Sequence, residues 1–158
     1  MTSPVSKLFM PHQRIRPLAI CLINHHGKTL AAEGYDPVKG EIFYRPLGGQ
    51  IEFGERGHET IVREFREEID AAVTDIKYLG ALENLFTFNG EKGHEIVLVY
   101  AGNLADAALY DQENIAGVED GDNLHFIAKW IPIADCIAGR VRLYPEGVLT
   151  LYGPNFQT

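Results

Sequence analysis

Apolar and polar positions change rhythm along the chain, and each change marks an element. IRPLAICLIN (15–24) is apolar and β-rich and reads as a buried strand. HHGK (25–28) is a turn signal, and TLAAEGYD (29–36) returns antiparallel to that strand. PVKG (37–40) turns the chain into EIFYRP (41–46), after which Gly48-Gly49 breaks the pattern. From about Gly57 to Asp70 the period becomes helical. Ile61, Phe65 and Ile69 recur four residues apart, with Val62 and Ala72 alongside, as one apolar stripe. By residue type, Gly57 is the best N-cap candidate for this helix. YLGALENLFTF (78–88) and HEIVLVYAGNL (94–104) flank NGEKG, in which Asn89-Gly90 is a hairpin signal. The polar, acidic stretch 106–123 reads as a long loop or loop-plus-turn, and LHFIAKWIPI (124–133) as a strand. PIADCIAGR and YPEGVLTLYG read as short helical pieces, and residues 1–13 as a loose, flexible arm. Strands, one central helix, more strands and a helical end predict an α+β fold, a mixed sheet with helices on its faces.

Composition narrows the class. A chain of 158 residues suits one domain, here residues 14–158, with enough length for a core. The net charge of −8 works against attraction to nucleic-acid backbones or anionic membranes, so neither a nucleic-acid polymer nor a membrane is expected as a partner. An acidic protein that handles phosphates needs local cations, such as a bound metal, to offset its own field. Cys21 lies in an apolar run and Cys136 stands far from it, which implies no disulfide framework. The N-terminus lacks the apolar stretch of a signal peptide, and a cytoplasmic location is the expectation.

Charge concentrates in LGGQIEFGERGHETIVREFREEIDA (47–71). Residues three and four apart share a helix face, so Glu64, Glu67 and Glu68 cluster. A like-charged pair at the spacing of Glu64 and Glu68 costs an isolated helix roughly 0.2–0.5 kcal/mol. A hard divalent cation, Mg²⁺ or Mn²⁺, reverses that sign, because it takes oxygen ligands and leaves room for water and phosphate. The ordinary alternative is a solvated ladder of Glu59, Arg63 and Glu67 at i, i+4 and i+8. The loop before the helix favours a site. Gly48 and Gly49 let a backbone approach a ligand, and Glu55 can reach the same cluster.

Gly49, Glu55 and the run Arg63-Glu64-Phe65-Arg66-Glu67-Glu68, closed by Asp70-Ala71, resemble the Nudix box. All six polar or glycine positions before the box's last glycine are matched, which chance would give in a chain this size on the order of once in 10⁵. The closing glycine is Asp70 here. That position ends the helix in a left-handed conformation, which Asp tolerates better than most residues.

The resemblance implies a Nudix fold, a mixed sheet sandwiched between helices. It also implies hydrolysis of the pyrophosphate in a nucleoside diphosphate linked to another moiety, as in a nucleoside triphosphate or a nucleotide sugar. Its metal ligands would be Glu64, Glu67 and Glu68, helped by Glu55 and by the backbone of Gly49. Glu64, Arg63 and Glu67 would form the catalytic group, with Arg63 holding the glutamates through charge-assisted hydrogen bonds. Glu64 is one candidate for the base that deprotonates water; Glu113, Glu119, Asp120 and Asp122 are others. Arg45, Gly48 and Glu95 are candidate substrate contacts, with a strand-end surface Arg and a hairpin surface charge as the plain readings of Arg45 and Glu95. The partner expected is a small nucleotide, and the exposed strand edges permit a homodimer. The rival function is a Nudix-fold domain that binds a nucleotide or regulates without cleaving; such domains usually lack box glutamates that this chain retains.

Overall fold

The computed structural model describes residues 14–119 and 123–157. The expected arm (1–13) and the candidate acids Asp120 and Asp122 lie outside the described residues. Eight strands form one mixed sheet. They are β1 (Ile15–His25), β2 (Lys28–Asp36), β3 (Glu41–Pro46), β4 (Gly48–Gln50), β5 (Val73–Phe88), β6 (Glu91–Leu104), β7 (Asn114–Glu119) and β8 (Leu124–Pro132). The order is β5-β6-β1-β2-β8-β7, with β3 on β2 and β4 on β1. Among the described strands only the β1–β6 pair runs parallel, and Arg16 on β1 stands opposite Glu95 on β6.

Hairpins follow the turn signals. His26 and Gly27 have φ of 47° and 73°, and Asn89 and Gly90 have φ of 50° and 79°. Two successive positive φ values are what a two-residue hairpin turn demands. Both arms of the β5–β6 hairpin are longer than the alternation in 78–104 suggests. The acidic stretch 106–123, expected to be a loop, holds a 3₁₀ turn (Ala107–Asp111) and the edge strand β7. Its short NIAGVE segment buries only Ile115 and Gly117, a pattern too sparse to read as a strand without its partner β8.

The central helix α1 runs Gly57–Ile69 and buries Ile61, Phe65 and Ile69. Val62, expected beside this stripe, is 48% exposed, because it lies one position past the inward-facing Ile61. The N-cap is Arg56 and not Gly57; the Arg56 N–H donates to the Glu59 carboxylate at 2.7 Å. Gly57 has a packing role, since a Cβ there would meet the Tyr100 hydroxyl. Asp70 closes the helix with φ 51° and ψ 43°, the left-handed cap that replaces a glycine.

Alternation along β1 builds two cores. Ala19, Cys21 and Ile23 face α1. Leu18, Ile20 and Leu22 face the other way, onto Val97, Val99 and the C-terminal 3₁₀ stretch that begins at Val148. The result is helix, sheet, helical turn, with a short helix α2 (Ile133–Ile137) after β8. Among the described residues no helix is long and apolar enough to cross a membrane.

Candidate active site

β4 sets the position of the glycine pair. Gly48 and Gly49 are not a bare break but a short strand beside Ile20 and Ala19 of β1. Gly48 has φ +151°, and a Cβ there would run into the Ala19 carbonyl. Only glycine allows the two backbones to lie so close. A Cβ on Gly49 would fall on the Glu64 carboxylate, so the strand end lies directly against the helix acid. Past Gly49 the chain continues beside β1, with the Ile51 N–H donating to the Pro17 carbonyl at 3.0 Å.

Arg63 is the hub of the acids. Its Nε and Nη2 donate to the two oxygens of Glu55 at 2.8 and 2.9 Å. Its Nη1 donates to Glu64 at 2.9 Å and Glu67 at 3.2 Å, and Nη2 also reaches the Gln50 carbonyl at 3.1 Å. The Thr60 hydroxyl donates to Glu55 at 2.5 Å. Hydrogen bonds from Arg63 pull the Glu55 carboxyl down to about 2. Of the alternative solvated ladder only the Arg63–Glu67 step forms; Glu59 is drawn back to the helix N-terminus, and Arg63 also turns to Glu55 in the loop.

Glu68 joins this network only through Glu64 and is buried. Burial, then its hydrogen bond to Glu64 and that neighbour's charge, push its carboxyl well above the ordinary range. Burial likewise raises Glu64, against the pull of Glu68 and Arg63. Two carboxyls in contact, with the proton held on the Glu68 side, are the signature of acids too close to ionise together.

These groups line a cleft of about 780 Å³, the size of a small-molecule site. Gly48, Gly49, Arg63, Glu64, Glu67 and Glu68 line it, together with Arg16 and Arg45. Glu119, at the end of β7, lines it too and acts electrostatically on both Glu68 and Arg16. Glu113, in contrast, is exposed ahead of β7. Glu95 is no hairpin surface charge: it is fully buried, touching Arg45, Arg16 and Asn84. The sequence gives no sign of Arg16, which belongs with the site only because parallel pairing brings it opposite Glu95. Phe88 and Tyr100 are buried, and Trp130 stacks on Tyr110 with centroids 5.5 Å apart.

Among the described residues, no three His, Cys, Asp or Glu side chains are gathered as a formed metal centre. Arg63 stands among the acids instead. The donor types nonetheless fit a hard cation. Glu64, Glu67 and Glu68 offer oxygens only, and Glu64 adjoins the Gly49 backbone.

Known proteins of similar sequence and shape point the same way. The chain is 38% identical over 118 residues to the NAD-capped RNA hydrolase NudC of Mycobacterium tuberculosis, covering 69% of this chain and 37% of that protein. It is 27% identical over 144 residues to NudC of Pseudomonas putida, covering 87% and 50%. The chain thus spans half or less of the length of these relatives. A NUDIX hydrolase from Nitrosomonas europaea shares the fold at a TM-score of 0.60, with 17% identity over 88% of this chain and 86% of that one. The model of the NUDIX domain matches residues 13–148, a span that includes the glycine strand, the Arg63 hub and the buried carboxyl pair, and the chain therefore belongs to the Nudix family.

Proposed function

We propose that the chain is a metal-dependent pyrophosphohydrolase that cleaves a nucleoside diphosphate linked to another moiety. The observation that carries this reading is the Glu64–Glu68 pair, two carboxyls in contact beside the Gly49 backbone in a large cleft. Holding such a pair together costs stability, and the cost has a purpose if a dication binds there. Nudix proteins generally use divalent metal ions. Glu64, Glu67 and Glu68 would hold Mg²⁺ or Mn²⁺ here, with Glu55 and the Gly49 backbone in support. When bound, the ion neutralises phosphate charge and makes a water acidic enough to attack at neutral pH.

The chain's own residues do the rest. Arg63 fixes Glu55, Glu64 and Glu67 in one constellation before substrate arrives, so little reorganisation is left for the reaction. Glu64 is the candidate to accept the proton of the attacking water, and Glu119, which lines the same cleft, is a second candidate. Gly48 and Gly49 let the β4 backbone lie close against β1 and against the Glu64 carboxylate in the cleft wall. Arg45 contacts phosphate, and Glu95 acts on substrate only through the arginines it touches.

The relatives named NAD-capped RNA hydrolases extend the substrate range to test. A dinucleotide such as NAD has the same core, a nucleoside diphosphate bearing a second group, as a nucleotide sugar does. Nucleoside triphosphates, nucleotide sugars and NAD should therefore be incubated with Mg²⁺ or Mn²⁺ and the products separated by ion-exchange chromatography. The expected outcome is cleavage of at least one class, none in EDTA, and a fall in kcat on the order of 10²–10³-fold in Glu68→Gln. Tight nucleotide binding with no cleavage under any metal would instead identify a binding domain.

A further inference from the structure

We propose that the buried carboxylate of Asp36 clasps together the two hairpins that wall the cleft, and that this clasp sets how large a group the cleft admits beside the phosphates of its substrate. The proposal rests on the reading of this cleft as the substrate site.

Asp36 ends β2 and is 2% exposed. A buried carboxylate is costly unless its oxygens are used, and here both are. Oδ1 accepts from the Val38 and Lys39 N–H groups at 2.9 and 3.1 Å, which shapes the turn between β2 and β3. Oδ2 accepts from the Asn89 N–H at 3.2 Å, in the turn between β5 and β6. Lys39 crosses the same joint: its Nζ donates to the Thr87 carbonyl at 2.6 Å and lies 3.8 Å from Asp36 Oδ2. One acid therefore holds its own turn with one oxygen and the opposite hairpin with the other.

No backbone ladder between the described strands shares this work, since β3 is paired along β2 and β5 along β6. Phe43 and Phe88 meet edge-on across the joint with centroids 5.8 Å apart. Beside them is a cavity of about 40 Å³ whose walls include Asp36, Lys39, Phe43, Phe86, Phe88 and Tyr144. Where a cavity interrupts close packing, packing alone does not fix the spacing, and polar cross-links set it. The same hairpins face the cleft: Pro37 and Phe43 of one and Phe88 and Asn89 of the other line it. The distance between the hairpins is thus one dimension of the cleft. Asp36 lines the smaller cavity and not the cleft, so it acts on substrate through the hairpins it joins, as a positioning residue.

The test uses Asp36→Asn in the full chain. Its amide oxygen can still accept from Val38 and Lys39, while its NH₂ faces the Asn89 N–H, so the turn is kept and the clasp is opened; the opposite orientation would lose two bonds in place of one. Amide hydrogen exchange read by mass spectrometry should be about tenfold or more faster over residues 86–93 than in wild type, the usual worth of a hydrogen bond to a charged group, and unchanged over α1. Kinetics on ATP and NAD with Mn²⁺ should show kcat/KM for NAD relative to ATP raised about threefold or more, through KM, with each kcat within about twofold, because the change lies in binding room and not in the reacting groups. Lys39→Met should move the ratio the same way, and serves alone if Asp36→Asn fails to fold by circular dichroism. Val148→Ala, a core truncation outside the joint, should lower Tm and leave the ratio unchanged, which separates positioning from general stability. Where either compound is not cleaved, the ratio is read from dissociation constants measured by calorimetry. An unchanged ratio in the clasp variants, or unchanged exchange over 86–93 in Asp36→Asn, overturns the proposal. Binding without cleavage rejects the catalytic reading and leaves the clasp to be judged on the ratio; a wild type that neither binds nor cleaves either compound overturns both.

Discussion

At the scale of single residues, the site is a set of acids in unlike environments. Glu55 is tied to Arg63, and its carboxyl sits at about 2, below the ordinary 4.5. Its contribution to stability is therefore complete above pH 4.5 and disappears as pH falls toward 2. Glu68 is shifted the other way, so the folded state holds its proton more tightly than the unfolded chain does, and stability declines as pH rises above 4.5. In EDTA at pH 8, Glu68→Gln should raise Tm by about 2–4 °C, the shift that ~1 kcal/mol gives a domain of this size. The gain should vanish as the melts approach pH 4.5. Arg63→Lys removes the two-pronged grip on Glu55 and should lower kcat about tenfold or more with little change in KM, because Arg63 acts through the glutamates. The box residues were legible in the sequence because their types and spacing are chemical requirements. The burial of Glu68 and Glu95 was not, since burial is decided by partners distant in the chain.

At the scale of elements, α1 and β4 form one device. The stripe Ile61–Phe65–Ile69 fixes the helix against β1, and the glycine strand approaches its acidic side. The two glycines should respond differently to the same change. In Gly48→Ala the new methyl meets backbone, which cannot move aside, so stability should fall by about 1–3 kcal/mol in denaturant melts. In Gly49→Ala it meets the end of a flexible side chain, so the fold should survive while kcat drops on the order of 10²-fold through a displaced Glu64. Helix and hairpins could be read in advance because their signals are local: a four-residue period and two turn dipeptides. The N-cap was misread because capping here is done by a Glu59 carboxylate three residues inside the helix, a reciprocal contact that residue preference at one position does not reveal. β7 was missed for a related reason, since an edge strand with two buried positions owes its existence to its neighbour.

For the whole molecule, ion binding and folding are linked. If a dication relieves the repulsion between Glu64 and Glu68, Mg²⁺ or Mn²⁺ at a hundredfold excess over its Kd should stabilise the fold by about 2.7 kcal/mol. Differential scanning calorimetry should show that gain in wild type and lose most of it in Glu68→Gln. The layered α+β arrangement was predictable from element order, but strand order was not, because the parallel pairing of β1 with β6 joins segments some eighty residues apart. That pairing makes β1 a ruler. One strand lies beside the glycines at Ala19 and Ile20 and carries Arg16 opposite Glu95, so the distance between the glycine strand and that buried carboxylate is set by counting residues along a rigid backbone. A single residue inserted between Arg16 and Ala19 would lengthen that measure by about 3.3 Å and turn the arginine to the opposite side of the sheet, leaving Glu95 buried without the guanidinium now opposite it.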